Sequence, residues 1–186
     1  MTVRVVHKFG GTSLADAECI RRVADIIIAR PEPRRAVVVS AMGGVTNALV
    51  RAVHLAAERD ASGYSTLLSE VERRHRETVA SLVADETGKR LNTEIERDLS
   101  DIRDVLHATT LLRRYSRETL DLVSGYGEIW SARMLSAHLL SRGTTAEWLD
   151  AREVLVAEWR GSAPEIDWAA SRARLGQWHH GHDSTA

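Results

Sequence analysis

Cysteine occurs once in these 186 residues, at Cys19, and proline only three times. A single thiol excludes a disulfide framework and points to a reducing compartment, the cytoplasm. Cys19 falls inside the first expected helix and reads as a small packed side chain rather than a reactive one. With so few prolines, twelve glycines and no low-complexity stretch, no linker or internal repeat stands out. Aromatic residues make up only 5%, and the five tryptophans are scattered, as expected of side chains packing a core or a contact surface. Neither sign of charge predominates. Twenty-five Lys and Arg face 26 Asp and Glu for a net charge of −1, which argues against a nucleic-acid or membrane partner. No apolar run approaches the roughly 20 residues needed to cross a bilayer, and the start lacks the apolar stretch of a signal peptide. What is present is a globular composition, 44% hydrophobic and 27% charged, at a length suited to one domain.

The most informative stretch is Lys8-Phe9-Gly10-Gly11-Thr12-Ser13. An apolar run, Val3 to His7, precedes it and reads as a strand. A helical pattern follows, with Ile20, Val23, Ala24, Ile27 and Ile28 at helical spacing. Ser13-Leu14-Ala15-Asp16 suits a capping-box start, so this helix is expected to begin at Thr12 or Ser13. Arg30-Pro31-Glu32-Pro33 stops it. Two readings apply to the hexapeptide. It is a glycine turn with a solvated lysine, or a phosphate site. In the second, Gly10 and Gly11 let backbone N–H groups approach an anion, a helix start favours negative charge, and Lys8 adds a full positive charge. The lysine precedes the glycines, unlike the common phosphate loop of nucleotide hydrolases.

The pattern then recurs. Ala36 to Val39 is a continuous apolar run, the mark of a strand buried on both faces. It ends in Ser40-Ala41-Met42-Gly43-Gly44, followed by a helical stripe of Val45, Leu49, Val50, Val53 and Ala57. Strand, glycine loop and helix, twice over, predict a parallel sheet whose ligands sit beyond the carboxyl ends of its strands. Residues 64–112 read as an inserted helical pair. One stripe is Leu67, Leu68, Val71, His75, Val79 and Leu82. The other is Leu91, Ile95, Leu99, Ile102, Leu106 and Thr109, with Gly88 as the break between them. The charged runs 72–74 and 94–98 read as solvated faces, and His75 and His107 lack metal-ligand spacing. Val123 to Glu128 opens a further helix, Thr144 to Leu149 reads as a third strand, and Asp167 caps a last helix to Trp178. Residues 179–186 read as a disordered tail.

Three glycine-bearing segments, 8–13, 40–46 and 125–128, are thus candidates to converge at one sheet edge. Ser40 and Thr46 supply hydroxyls. Glu128 repels phosphate; it either binds the ammonium of an amino-acid substrate or is a carboxylate favoured at a helix start.

Lys8-Phe9-Gly10-Gly11-Thr12-Ser13, Val39-Ser40-Ala41-Met42, Val45-Thr46-Asn47, Gly127-Glu128 and Leu149-Asp150-Ala151-Arg152 occur in the order seen in aspartokinases. The chain therefore resembles that branch of the amino-acid kinase family from about residue 5 to 178, with the kinase part of fused aspartokinase/diaminopimelate decarboxylases as the nearest likeness. The resemblance implies an α/β, three-layer αβα fold with a mainly parallel sheet, incomplete here, as an amino-terminal part of a kinase domain over 1–178. It implies ATP-dependent phosphorylation of the aspartate side-chain carboxylate, the first step towards lysine, threonine and methionine. Magnesium arrives with the nucleotide and the protein holds no metal of its own. Lys8, Gly10, Gly11, Thr12 and Ser13 would serve the phosphates. Ser40 and Thr46 would line the aspartate pocket, and Glu128 would hold the substrate ammonium. The Arg-Gly-Gly-Ser-Asp-type segment that follows in aspartokinases does not occur in this sequence. The expectation is a truncated, poorly active chain with an exposed sheet edge, working as a homo-oligomer or with a separately encoded carboxyl-terminal half. The alternatives are a non-catalytic remnant that binds a partner, and a kinase for another amino acid.

Overall fold

The computed structural model describes residues 5–30, 35–160 and 163–182. Val3 at the start of the first expected strand, the Pro31–Pro33 helix stop and the end of the tail, 183–186, lie outside the described residues. The chain divides into two units, 1–147 and 148–186.

In the first unit, β1 (Val5–Phe9) and β2 (Arg35–Val39) pair in parallel, with Lys8 opposite Val38 and Phe9 opposite Val39. Helix α1 (Ala17–Ile28) connects them, and α2 (Val45–Ala57) follows β2. The αβ order and parallel pairing expected from the sequence are present. Strand alternation splits the sheet into unlike faces. Phe9, Val37 and Val39 pack against the core, whereas Val6, Lys8 and Val38 are exposed. Burial of the second strand on both faces is therefore not observed. Helices cover one face only, so two of the three expected layers are seen among the described residues. The expected strand at 144–149 forms no ladder in either sheet. Its β-rich composition cannot make a strand without a neighbour to accept its hydrogen bonds.

The helical insertion is α3 (Ala61–Leu82) and α4 (Glu86–Leu112), each started by an aspartate. Asp60 accepts from the Gly63 amide, and Asp85 from those of Thr87 and Gly88. Gly88 therefore lies in the first turn of α4, not at the break. A Cβ there would fall on the Val83 carbonyl oxygen, so a glycine lets the connection fold back tightly. The apolar stripes read from the sequence face inward: Leu68, Val71, His75, Val79, Leu91, Ile95, Leu99, Ile102 and Leu106 are all buried. Helix α5 (Arg117–Ser141) closes this unit. It begins well before Val123, at a Ser116–Thr119 capping box. Trp130 on α5 is fully enclosed by this core, and in the second unit Trp168 is 70% exposed.

In the second unit, Asp150 caps the short α6 (Ala151–Val154). An antiparallel hairpin follows, β3 (Ala157–Arg160) and β4 (Ala163–Ile166), which the sequence reading did not anticipate. Helix α7 (Trp168–His182) begins where Asp167 accepts from the Ala169 and Ala170 amides, as expected. It continues four residues past Trp178, so 179–182 are helical instead of disordered.

Candidate functional site

The three glycine segments meet. After β1 the chain makes one 3-10 turn, Gly11–Leu14, closed by the Ser13 amide donating to the Gly10 carbonyl at 2.9 Å. A Cβ on Gly11 would stand 3.0 Å from the Ala41 carbonyl oxygen and 3.8 Å from Gly43 Cα. The first loop thus lies directly on the second, 40–44. On the other side, a Cβ on Gly127 would meet the Ala41 methyl at 2.7 Å and Val45 Cγ1 at 3.1 Å. So α5 is pressed against the same loop through Gly127, with Glu128 the next residue. A Cβ on Gly125 would meet nothing within 4 Å, so the absence of a side chain there is not required by this packing.

Lys8 lies within β1 rather than beyond it. It projects on the exposed sheet face, and its Nζ stands 3.7 Å from where a Gly10 Cβ would be. No carboxylate pairs with it among the described residues. An unpaired ammonium over a side-chain-free turn is what an anion requires.

The dipole argument attaches to a different helix than the sequence suggests. Ser13 caps nothing, because the Gly11–Leu14 turn intervenes and α1 starts at Asp16. The Asp16 carboxylate accepts from the Cys19 amide at 2.8 Å, and that bond holds its pKa below the usual carboxylate value. A capping carboxylate takes one of the free amides at this helix start, and its charge repels another anion. Helix α2, by contrast, has no side-chain cap. Its N-cap is Gly44, at φ +83°, a conformation that favours glycine. The Val45 amide donates to the Met42 carbonyl at 3.0 Å, and the next amides of this first turn, those of Thr46 and Asn47, are the ones left to an anion or to substrate oxygen. Thr46, half-buried, stands in this first turn. Ser40, also half-buried, opens the loop and donates its amide to the Phe9 carbonyl at 3.1 Å.

Glu128 lies inside α5, far from its start, so a helix-start role is ruled out. It is half-buried, and no cation pairs with it among the described residues. Lys8, Thr12 and Ser13 are exposed beside the first loop. The structure therefore gathers the segments holding all eight residues singled out from the sequence.

Residues 3–179 match the amino acid kinase family. The chain belongs to that family. The chain is 39% identical over 174 residues to the bifunctional aspartokinase/homoserine dehydrogenase 1 of Zea mays, an alignment covering 93% of this chain and 19% of that one. It aligns with E. coli aspartokinase III in complex with lysine and aspartate at a TM-score of 0.82 and 29% identity, over 96% of this chain and 38% of that one. The same enzyme with aspartate and ADP gives a TM-score of 0.81, again at 29% identity. The chain thus spans about a fifth of the fused relative. It is homologous to the aspartokinase part of such enzymes, and the fold is an amino acid kinase fold.

Two features of the chain went unseen in the sequence. Arg74, in a run expected to be solvated, reaches from α3 to the second glycine loop, donating to the Gly43 carbonyl at 3.0 Å. Asp98, in the other such run, is buried and accepts from Trp130 Nε1 at 2.9 Å and from Arg133 at 2.7 Å. Neither has a sequence signal apart from being a charged residue next to, or at helical spacing from, the apolar stripe of its helix.

Proposed function

We propose that this chain supplies the phosphate-binding and substrate-ammonium side of an aspartate kinase site. The observation that carries the proposal is the packing of the first glycine loop and of helix α5 on Ala41 of the second loop, with a cation, Lys8, and a carboxylate, Glu128, both unpaired among the described residues, on the segments that meet there. ATP, delivered with magnesium, would place its transferred phosphoryl group by Lys8 and the Gly10–Ser13 turn. Phosphoryl transfer needs mostly positioning and charge stabilisation. Lys8 offers the charge, and the exposed hydroxyls of Thr12 and Ser13 offer donors. The nucleophile is the side-chain carboxylate of aspartate itself, so no general base is required. Its oxygen attacks the terminal phosphorus, ADP leaves, and 4-phospho-aspartate forms. Ser40 and Thr46 would line the amino-acid pocket, and Glu128 would pair with the substrate ammonium. That role explains a carboxylate near an anion site.

Aspartate in preference to another amino acid is supported by the family branch and by the aspartate and ADP bound to the similar E. coli enzyme. The same support extends to a role in amino-acid biosynthesis. A cytoplasmic location belongs to this reading, as does a homo-oligomer or a separately encoded carboxyl-terminal half that completes the site. Among the described residues no helix is long and apolar enough to cross a membrane.

Calorimetric titration of the protein with magnesium ADP, then with aspartate, tests the assignment. Lys8→Ala is expected to weaken nucleotide binding and leave aspartate binding intact. Glu128→Gln is expected to do the reverse. Equal losses for both ligands in either variant would contradict the assignment.

A further inference from the structure

We propose that Arg74 is a positioning residue that locks the two glycine loops into a single anion-binding surface, a role that rests on the phosphate reading above. Arg74 is contributed by α3, inside the helical insertion, and is far in sequence from both loops. One terminal nitrogen of its guanidinium donates to the Gly43 carbonyl at 3.0 Å and approaches the Ala15 carbonyl at 3.4 Å. Gly43 precedes the Gly44 N-cap of α2, and Ala15 ends the turn that follows Lys8. The loops already touch: the Gly43 Cβ position is 3.4 Å from both the Gly11 carbonyl oxygen and the Ala15 Cβ. A single side chain therefore ties both backbones at their point of contact.

Two physical consequences follow. Carbonyls turned towards Arg74 are bonded, so the amides of the same peptides are held facing the other way. The guanidinium also offsets the carbonyl dipoles that would otherwise oppose an incoming phosphate. Both carbonyls are reached from one nitrogen, Nη2, whose N–H groups are fixed in the guanidinium plane, whereas a lysine ammonium would have to hold the same position on a freely rotating stem. The backbone of Arg74 is itself secured, since Thr78 Oγ1 donates to its carbonyl at 2.8 Å.

Residue-resolved amide hydrogen exchange, combined with magnesium ADP and pyrophosphate titrations, tests this on wild type, Arg74→Met and Arg74→Lys. The reporters are the amides of Val45, bonded to Met42, and Ser13, bonded to Gly10. In Arg74→Met both are expected to exchange at least tenfold faster, while Val79 on α3 and Ile102 on α4 keep their wild-type rates. Magnesium ADP and pyrophosphate should both bind at least tenfold more weakly, and Arg74→Lys should recover part of each loss. Unchanged exchange at Val45 and Ser13 overturns the inference, and so does a uniform rise that includes Val79 and Ile102. Faster loop exchange with unaltered ligand affinity keeps Arg74 as the loop tie but overturns the phosphate reading.

Discussion

Gly127 rests on Ala41 so closely that a methyl group at position 127 would come within 2.7 Å of the Ala41 side chain. Real Cβ atoms do not approach this near, so α5 lies on the second glycine loop only because residue 127 has no side chain. Gly127→Ala is expected to force helix and loop apart and to cost about 1–3 kcal/mol, the usual penalty for overpacking. Gly125, two residues earlier in the same helix, meets nothing. Gly125→Ala should therefore stabilise by about 0.5–1 kcal/mol through helix propensity. Urea unfolding of the pair checks the opposed signs; equal effects would show that Gly127 is not a contact residue.

Asp98 joins the insertion to α5. Its Oδ2 accepts from both Trp130 and Arg133, and its side chain is 7% exposed against 11% for Arg133. Removing one partner of a buried pair leaves the other desolvated, at about 3–5 kcal/mol. Asp98→Ala is expected to fall in that range. Asp98→Asn retains an acceptor for the indole and should lose less. Urea denaturation followed by far-ultraviolet circular dichroism measures both.

His75 makes the fold sensitive to acid. It is fully buried, donates Nδ1–H to the Val71 carbonyl at 2.7 Å, and leaves Nε2 without a partner against the edge of Trp130. Burial, the dominant cause, pushes its pKa down from 6.5 to about 4. Between those values the unfolded chain binds the proton and the folded chain does not. Stability therefore rises with pH across this window, by on the order of 3 kcal/mol. It is fully present above about pH 6.5 and gone below about pH 4. His138, whose pKa burial also lowers, adds in the same sense. His75→Leu should flatten most of the slope of unfolding free energy between pH 5 and 6.5, leaving the His138 part, while carboxylates held below their usual values, such as Glu70 and Glu118, add slope of the same sign only near pH 4. An unchanged slope would mean that His75 is not the group responsible.

The legible parts of this fold are those fixed by local pattern. Lys8 to Ser13 and Ser40 to Gly44 could be read as loops at strand ends because glycine pairs interrupt apolar runs. The stripes of α3 and α4 could be read because charged residues fill every other face. What escaped has a tertiary cause. Gly125-Tyr126-Gly127 looks like a break before a helix, yet α5 runs straight through it, because Gly127 serves a close contact that no sequence window contains. The signal for the true start was Ser116 with Thr119 as a capping box, a weaker pattern than one ending in glutamate. Asp16 displaced Ser13 as the cap because a 3-10 turn consumed the residues between. Arg74 and Asp98 sit in charged runs whose partners are 31 and 32 residues away. Thr144 to Leu149 has strand composition but, among the described residues, no strand pairs with it.

Aspartate-dependent release of ADP measures the central claim most directly. The assay supplies this chain with magnesium ATP and either aspartate or glutamate, alone and with the carboxyl-terminal part of an aspartokinase kinase domain added in trans. The account predicts slow turnover alone, faster turnover with the added part, and a requirement for aspartate in both. It also predicts a loss of about 10²–10³-fold in Lys8→Ala, the usual effect of removing an electrostatic stabiliser of the transition state. ADP release that ignores the amino acid, that survives Lys8→Ala, or that never occurs in either arrangement would contradict an aspartate kinase site built on these loops.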